Sequence, residues 1–197
     1  MPLIAATLHM PLAGQARILS TKEIADIFKL LPIARDKAIF AIGIYTGLRV
    51  SEIVTLRTSQ LFTEAGNVRH VLKLKRQKKK NIVYSDIPVH EKLKKRLVDY
   101  YKETQIGVWL FPSEMASSGH LTRAAAHNLL TKAFDSLGLD DASTHSMRRS
   151  CLTQMSRAGV PLRTIQEISG HASLSDLQVY LAVDPDDKRR AINLLRY

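Results

Sequence analysis

Residues 144–180 read THSMRRSCLTQMSRAGVPLRTIQEISGHASLSDLQVY, and the rest of the chain is organised around them. The segment holds a His-x-x-Arg pair at His145 and Arg148, a Gly-His step that ends at His171, and Tyr180 nine residues further on. A Gly-Val-Pro turn separates two helical patterns, which favours an antiparallel helix pair. Each of these residues alone is common in proteins. Their occurrence together and in this order indicates a catalytic site.

A second element, TGLRVSEI, places Arg49 just after a glycine that ends a helix. Arginine binds phosphate oxygens through two parallel hydrogen bonds and keeps its charge. A tyrosine hydroxyl, with an ordinary pKa of about 10, is a weak nucleophile at neutral pH and needs activation. Histidines can take up or orient its proton, and a lysine can protonate a leaving oxygen. Two arginines, two histidines and a tyrosine therefore suit attack on a phosphodiester by a phenolic oxygen.

The ordered motifs resemble the catalytic domain of the tyrosine recombinases, the family of phage integrases and Xer-type recombinases. The family pattern is matched, from about residue 20 onwards, at Arg49, His145, Arg148, His171 and Tyr180. The resemblance implies that Tyr180 attacks the scissile phosphate, forming a 3′-phosphotyrosyl bond and freeing a 5′-hydroxyl. It implies that the two arginines clamp the phosphate and that the two histidines handle and orient protons.

The chain departs from the family pattern at two positions without losing a catalytic group. Arg149 stands where the family often has histidine, and Ser169 stands where it usually has leucine. The single cysteine, Cys151, cannot form an internal disulfide, which favours a reducing compartment. Its place on the predicted helix favours a buried structural role over a catalytic thiol.

The charge of the chain predicts a polyanionic partner. With 197 residues and 45% hydrophobic content the chain suits one globular domain, and no run of eighteen apolar residues predicts a membrane span. The net charge is +11, and residues 69–80, RHVLKLKRQKKK, carry seven Lys or Arg and no acid. A basic protein with such a cluster is expected to bind DNA with salt-dependent affinity.

The hydrophobic pattern predicts a mainly α fold with a small three-stranded antiparallel β-sheet. Ser20 begins a capping box that opens the first helix, and residues 34–47 form a densely apolar, central buried helix closed by Gly47. Period-two patterns predict strands at 71–77 and 81–89, with a short third strand near Leu61–Phe62. Further helices are predicted at 51–57, 90–104, 117–138, around His145 and Arg148, at 162–169, and around Tyr180. A loop before the helix at 117–138 is interpreted as filling the hydrophobic core with Trp109, Leu110 and Phe111. The alternative is that these side chains stack on DNA bases.

The resemblance also implies a catalytic lysine in the β-hairpin, and Lys78 is our prediction. Lys75, Lys79 and Lys80 stay open, because the sequence does not fix the hairpin register. The helix over 117–138 lies in the major groove in this family, which implies DNA contacts from Thr122, Arg123 and His127. Glu52 is expected to brace the Arg49 site by hydrogen bonding or to be a plain helix-start acid.

We expect an N-terminal arm at 1–19, the catalytic domain at 20–183, and a C-terminal hinge and helix at 184–197. Most such recombinases carry an N-terminal DNA-clamping domain, so the sequence suggests either an excised catalytic domain or a short member like the fimbrial-switch inversion recombinases. The predicted function is site-specific recombination of double-stranded DNA, with no cofactor or metal, as a monomer in solution and a homotetramer at synapsis. The predicted location is the cytoplasm, at the nucleoid. The alternatives are a type IB topoisomerase-like enzyme and a non-catalytic DNA-binding relative.

Overall fold

A computed structural model describes residues 16–78, 81–104, 107–181, 189 and 192–195. The helices of this part are α1 Thr21–Leu30, α2 Ala34–Thr46, α3 Val50–Val54, α4 Thr58–Leu61, α5 Glu91–Glu103, α6 Arg123–Asp135, α7 Thr144–Arg157, α8 Leu162–Ser169 and α9 Leu174–Gln178. The strands are β1 Val71–Lys78 and β2 Asn81–Pro88. The mainly helical prediction is confirmed. Within the described part, no helix is long and apolar enough to cross a membrane.

Helix α2 is the centre of the core, as its dense apolar pattern predicts. It packs against α5 and α7, and most of its side chains are buried. At Gly43 a β-carbon would lie 2.5 Å from the sulfur of Met147, so glycine lets α2 and α7 approach closely. The helix ends at Gly47, whose φ of +67° is a left-handed conformation that suits glycine. This close packing brings the end of α2 to α7, the helix that carries His145 and Arg148.

The β-sheet of the described part has two antiparallel strands, with Lys78 paired to Asn81 beside the turn. The predicted third strand at Leu61–Phe62 is wrong. Leu61 instead ends α4, and Phe62 pairs only with Val68 through an isolated bridge. The helix forms here because the amide oxygen of Gln60 accepts the Arg57 backbone N–H at 2.7 Å, which caps the first turn.

The loop before α6 contributes to the core as predicted. Leu110 and Phe111 are fully buried, whereas Trp109 is half-buried beneath the Arg57 guanidinium, 5.1 Å from its ring centre. Helix α6 begins later than predicted. The Thr122 hydroxyl accepts the Ala125 N–H at 3.0 Å, and this cap starts the helix at residue 123.

The segment that leads into α1 is tied to α7. Arg149 donates to the Ala16 carbonyl at 2.6 Å, and the Leu19 N–H donates to the Ser150 hydroxyl at 2.7 Å. Residues 1–15 of the predicted arm lie outside the described residues. The same is true of the predicted C-terminal hinge and helix, apart from residues 189 and 192–195.

Candidate active site

Arg148 is the buried centre of the site. Its side chain on α7 is fully buried, and it donates to the Gly47 carbonyl at 2.6 Å and to the Ser169 carbonyl at 2.9 Å. Gly47 caps the end of α2, and Ser169 is the last residue of α8. Carbonyls at helix C-termini lack helical partners and carry partial negative charge, so two helix ends together hold the guanidinium. Burial lowers the pKa of Arg148 to about 10, which leaves it charged at neutral pH.

His171 lies against Arg148 just after the α8 terminus. Gly170, with φ of +71°, makes the turn that delivers it. The Ser169 hydroxyl is 2.8 Å from its Nδ1, and Gln166 Nε2 donates to its carbonyl at 3.2 Å. Burial, and then the positive charge of Arg148, lower the pKa of His171 to about 4. The imidazole is therefore neutral at pH 7.

Tyr180 completes this cluster within the same chain. Its ring centre is 4.9 Å from that of His171 and 5.5 Å from the guanidinium carbon of Arg148. The predicted position on a helix is wrong, because α9 ends at Gln178 and Tyr180 follows in a turn. The Thr153 hydroxyl donates to the Tyr180 carbonyl at 3.3 Å and ties this turn to α7.

Arg49 follows the α2 terminus and precedes α3, on the tight turn expected for it. Its backbone N–H donates to Glu52 Oε2 at 2.8 Å, while its guanidinium is 4.0 Å from the same oxygen. Its side chain stays 40% exposed, which leaves the guanidinium accessible to a ligand. The expected bracing by Glu52 is present, and it acts mainly on the Arg49 backbone.

His145 lies at the first turn of α7 and is exposed. A cavity of about 540 Å³ is lined by both His145 and Tyr180, so these two predicted residues share one space. Partial burial, then the charges of Arg148 and Arg123, lower the pKa of His145. Arg123 lies at the start of α6, which brings the predicted DNA-contacting helix to this edge of the site.

Lys78 is the last residue of β1 and pairs with Asn81. Leu72 and Leu74 are buried and Arg76 is largely buried, so these three side chains face the protein. Lys78 follows Arg76 by two residues along the strand. Lys75 belongs to the opposite, exposed set. Lys79 and Lys80 lie outside the described residues.

Sequence reasoning missed two residues of this site. Ser169 appeared only as a departure from the family pattern, yet its carbonyl binds Arg148 and its hydroxyl binds His171. Arg76 was counted among DNA-binding cations, yet its Nε donates to Glu52 Oε1 at 3.2 Å. The alternation of Leu72 and Leu74 carries a signal for Arg76, since it places the next even position inward.

Cys151 is a free, buried cysteine on α7. Burial raises the pKa of its thiol to about 12, so the reactive thiolate is absent at neutral pH. The predicted structural role fits this environment, beside Gly47.

Comparison with known proteins places the chain in a class. The sequence model of the phage integrase family matches residues 17–187, and the chain belongs to this family. It is 30% identical over 169 residues to the tyrosine recombinase XerD of Rickettsia bellii, covering 81% of this chain and 55% of the relative. It is 32% identical over 185 residues to the tyrosine recombinase XerC of Rhodospirillum centenum, and the match covers 91% of this chain and 52% of the relative. The chain thus spans about half the length of these curated relatives.

Solved structures share the fold. The XerA recombinase superposes with a TM-score of 0.74 at 22% identity, covering 97% of this chain and 68% of that chain. The Tn1549 transposon integrase in complex with a circular intermediate DNA superposes with a TM-score of 0.73 at 16% identity, covering 92% of this chain and 66% of that chain. The XerH site-specific recombinase bound to its palindromic difH substrate superposes with a TM-score of 0.70 at 19% identity, covering 94% of this chain and 55% of that chain.

Proposed function

We propose that this chain cleaves and rejoins DNA as a site-specific tyrosine recombinase. The observation that carries the proposal is the packing of the Tyr180 ring against both Arg148 and His171 in a single chain. A nucleophile beside a buried cation and a neutral imidazole is the arrangement that phosphoryl transfer by a phenol needs. The relatives named XerD and XerC, and the DNA-bound XerH and Tn1549 integrase, support the substrate class.

In the proposed reaction the Tyr180 oxygen attacks the scissile phosphorus. A tyrosine–phosphorus bond forms on the 3′ side, and the bond from phosphorus to the 5′ oxygen breaks. The guanidinium groups of Arg49 and Arg148 stabilise the charge that spreads over the non-bridging oxygens. Because the phosphotyrosyl bond conserves the energy of the broken bond, the reverse attack by a 5′-hydroxyl rejoins DNA without a nucleotide cofactor.

Two protons move in this reaction. The tyrosine proton passes to a neutral acceptor, and the lowered pKa of His171 keeps its imidazole neutral at pH 7. His145, whose pKa is also lowered and which lines the cavity together with Tyr180, orients the phosphate or relays the proton. The 5′ oxygen takes its proton from Lys78, whose place at the end of β1, two residues after Arg76, favours it over the exposed Lys75.

The DNA duplex lies along the surface that surrounds this cavity. Thr122, Arg123 and His127 are exposed at the start of α6, and Lys73 and Lys75 are exposed on β1. With the net charge of +11, these groups supply phosphate contacts and salt-dependent affinity. The proposed location, where such DNA is available, is the cytoplasm, at the nucleoid.

The proposed assembly follows from the need to exchange strands between two duplexes. The catalytic domain at 20–183 is a monomer in solution, and four copies join at synapsis through the segment 184–197. The described residues of that segment expose Ile192, Leu194 and Leu195 in the single chain. A head-to-tail exchange of this segment closes a ring of four.

Covalent capture tests the activity and supplies the target sequence. The 197-residue chain is incubated with a pool of duplexes that carry a randomised central region and a nick, so that the short 5′-hydroxyl product diffuses away after cleavage. We expect a denaturant-resistant protein–DNA adduct whose sequenced DNA converges on one site. An adduct that persists unchanged in Tyr180→Phe, or no adduct across the pool, would overturn the proposal. Relaxation of supercoiled plasmid without any joined product from two sites would instead indicate the topoisomerase-like alternative.

A further inference from the structure

The guanidinium of Arg76 joins the β-hairpin to two other elements. Its side chain is 10% exposed, although it belongs to the basic stretch of β1. Its Nε donates to Glu52 Oε1 at 3.2 Å. One terminal nitrogen donates to the Ser85 hydroxyl at 3.3 Å and the Glu167 carbonyl at 3.4 Å, and the other donates to the Ile168 carbonyl at 3.0 Å. Arg76 is thus occupied by protein partners and is not a free DNA-binding cation.

The local structure around Arg76 suits a planar fork of donors. The carbonyls of Glu167 and Ile168 belong to the last turn of α8, where helical partners are missing and a cation is stabilised. A β-carbon at Gly170 would lie 2.6 Å from Arg76, so the guanidinium packs directly on the glycine backbone. A lysine has one nitrogen and cannot reach Glu52 and the α8 carbonyls together.

Arg76 contacts the same two segments that hold the phosphate-binding arginines. The Glu52 carboxylate binds Arg76 through one oxygen and the Arg49 backbone through the other. Ile168, which accepts from Arg76, directly precedes Ser169, whose carbonyl accepts from Arg148. The position of β1 is therefore fixed relative to both arginines through one side chain.

The hairpin depends on such an anchor. A two-stranded ribbon has little stability of its own, so contacts with the rest of the protein set where its end lies. Lys78 follows Arg76 by two residues, about 7 Å along the strand. We propose that Arg76 is the positioning residue for Lys78, holding the hairpin lysine at the distance from the phosphate at which it can protonate the leaving oxygen. This inference rests on the proposed function of Lys78.

The test compares two nicked duplexes that carry the target sequence recovered by covalent capture. One has the natural 5′ oxygen at the scissile bond, and the other has sulfur in its place. A thiolate leaves without protonation, so loss of a proton donor slows only the oxygen substrate. The variants are Arg76→Lys, Arg76→Gln, Lys78→Ala and the double variant Arg76→Gln/Lys78→Ala. Arg35→Gln is the matched control, because Arg35 Nε also donates to a carboxylate, that of Asp36 at 2.9 Å, at the opposite end of α2 from Arg49.

We expect both Arg76 variants to cleave the oxygen substrate about tenfold or more slowly, part of the about 10²–10⁴-fold that acid–base catalysis contributes. We expect their sulfur cleavage to stay near the wild-type rate. The double variant should be no slower than Lys78→Ala, because Arg76 acts through that lysine. Arg35→Gln should match the wild type on both substrates. The ratio of the two rates within one preparation does not depend on the fraction of folded protein.

Different results separate the failure of this inference from the failure of the proposed function. If sulfur relieves the Lys78→Ala defect, equal slowing of both substrates by the Arg76 variants would overturn the positioning role, as would a double variant slower than Lys78→Ala, and either result would point to the arginine clamp instead. A Lys78→Ala defect that sulfur does not relieve would overturn the acid role of Lys78. In that case a double variant no slower than Lys78→Ala would still support Arg76 as the residue that positions it.

Discussion

One terminal nitrogen of Arg148 lies 3.0 Å from Nε2 and 3.4 Å from Nδ1 of His171. A donor in the plane of the ring would be near one nitrogen and far from the other. The near-equal distances therefore place the guanidinium against the face of the imidazole. Nδ1 is paired with the Ser169 hydroxyl at 2.8 Å, so the Nε2 edge of the ring is free of that partner and can act as proton acceptor. The arrangement keeps a neutral base beside a permanent cation.

Tyr180→Phe should abolish the covalent adduct and leave DNA binding nearly unchanged, because only the hydroxyl is lost. Adduct formation on the nicked duplex and binding by mobility shift measure the two effects. Tyr84→Phe is the matched control, since Tyr84 is exposed on β2. Tyr100 is a poor alternative nucleophile, because its hydroxyl donates to the Leu110 carbonyl at 2.9 Å and burial raises its pKa to about 12. Wild-type adduct levels in Tyr180→Phe would move the nucleophile elsewhere.

Arg49→Lys and Arg148→Lys should each slow cleavage by about 10²-fold, the scale of losing one preorganised charge-stabilising group. Lysine keeps the charge but loses the bidentate geometry. Only Arg148→Lys should also lower stability, by about 1–3 kcal/mol, because it leaves a buried carbonyl of Gly47 or Ser169 without its donor. Single-turnover cleavage and urea unfolding give the two readouts. Full activity in either variant would show that general positive charge is sufficient.

Ser169→Ala should slow cleavage about tenfold, since a loss of about 1.4 kcal/mol in orienting His171 corresponds to that factor. The contact from Arg148 to the Ser169 carbonyl belongs to the backbone and survives the substitution. Ser169→Thr keeps the hydroxyl and should restore most of the rate. The hydroxyl would have no role in catalysis if alanine and threonine cleaved equally fast.

Stability should fall as the pH drops from about 6.5 toward 4. The folded pKa of His171 is about 4, against about 6.5 in an unfolded chain, so the unfolded state takes up the proton first in this window. The lowered pKa of His145 acts in the same direction. Urea unfolding at pH 7.0 and 5.5 should show a loss on the order of 1 kcal/mol from His171. His171→Asn should shrink the difference between the two pH values, and an unchanged difference would contradict the neutral, buried state.

Deletion of residues 186–197 should abolish recombination between two sites while leaving weak cleavage of one site. The reason is the exposure of Ile192, Leu194 and Leu195 in the single chain, which suits burial against a second copy. Joined products from paired duplexes, adducts on single duplexes and thermal stability are measured side by side. Normal recombination would exclude docking between copies, whereas a large loss of monomer stability would favour docking on the same chain.

The positions of Arg49 and His171 in the fold could be predicted because each follows a glycine that ends a helix. The glycine stop placed Arg49 on its turn, and the Gly-His step placed His171 after α8. The alternation of Leu72 and Leu74 signals that Arg76 faces inward, but no local pattern encodes its contact with Ile168. The contact of Ser169 with Arg148 likewise joins residues distant in sequence. The prediction of a third strand was wrong because a local interaction was overlooked. The cap that the Gln60 side chain makes at the start of α4 outweighed the extended preference near Phe62.

The guanidinium of Arg148 rests on two main-chain oxygens, and this has a consequence for how the family can diverge. A carbonyl is present in every residue type, so no substitution at position 47 or 169 deletes an acceptor. What mutation can damage is the path of the backbone, which at Gly47 and Gly170 takes left-handed turns that favour glycine. The position of the Arg148 guanidinium therefore depends on the backbone conformation of these segments. The side chain at position 169 is not needed for that contact and can bind another group, as the Ser169 hydroxyl binds His171.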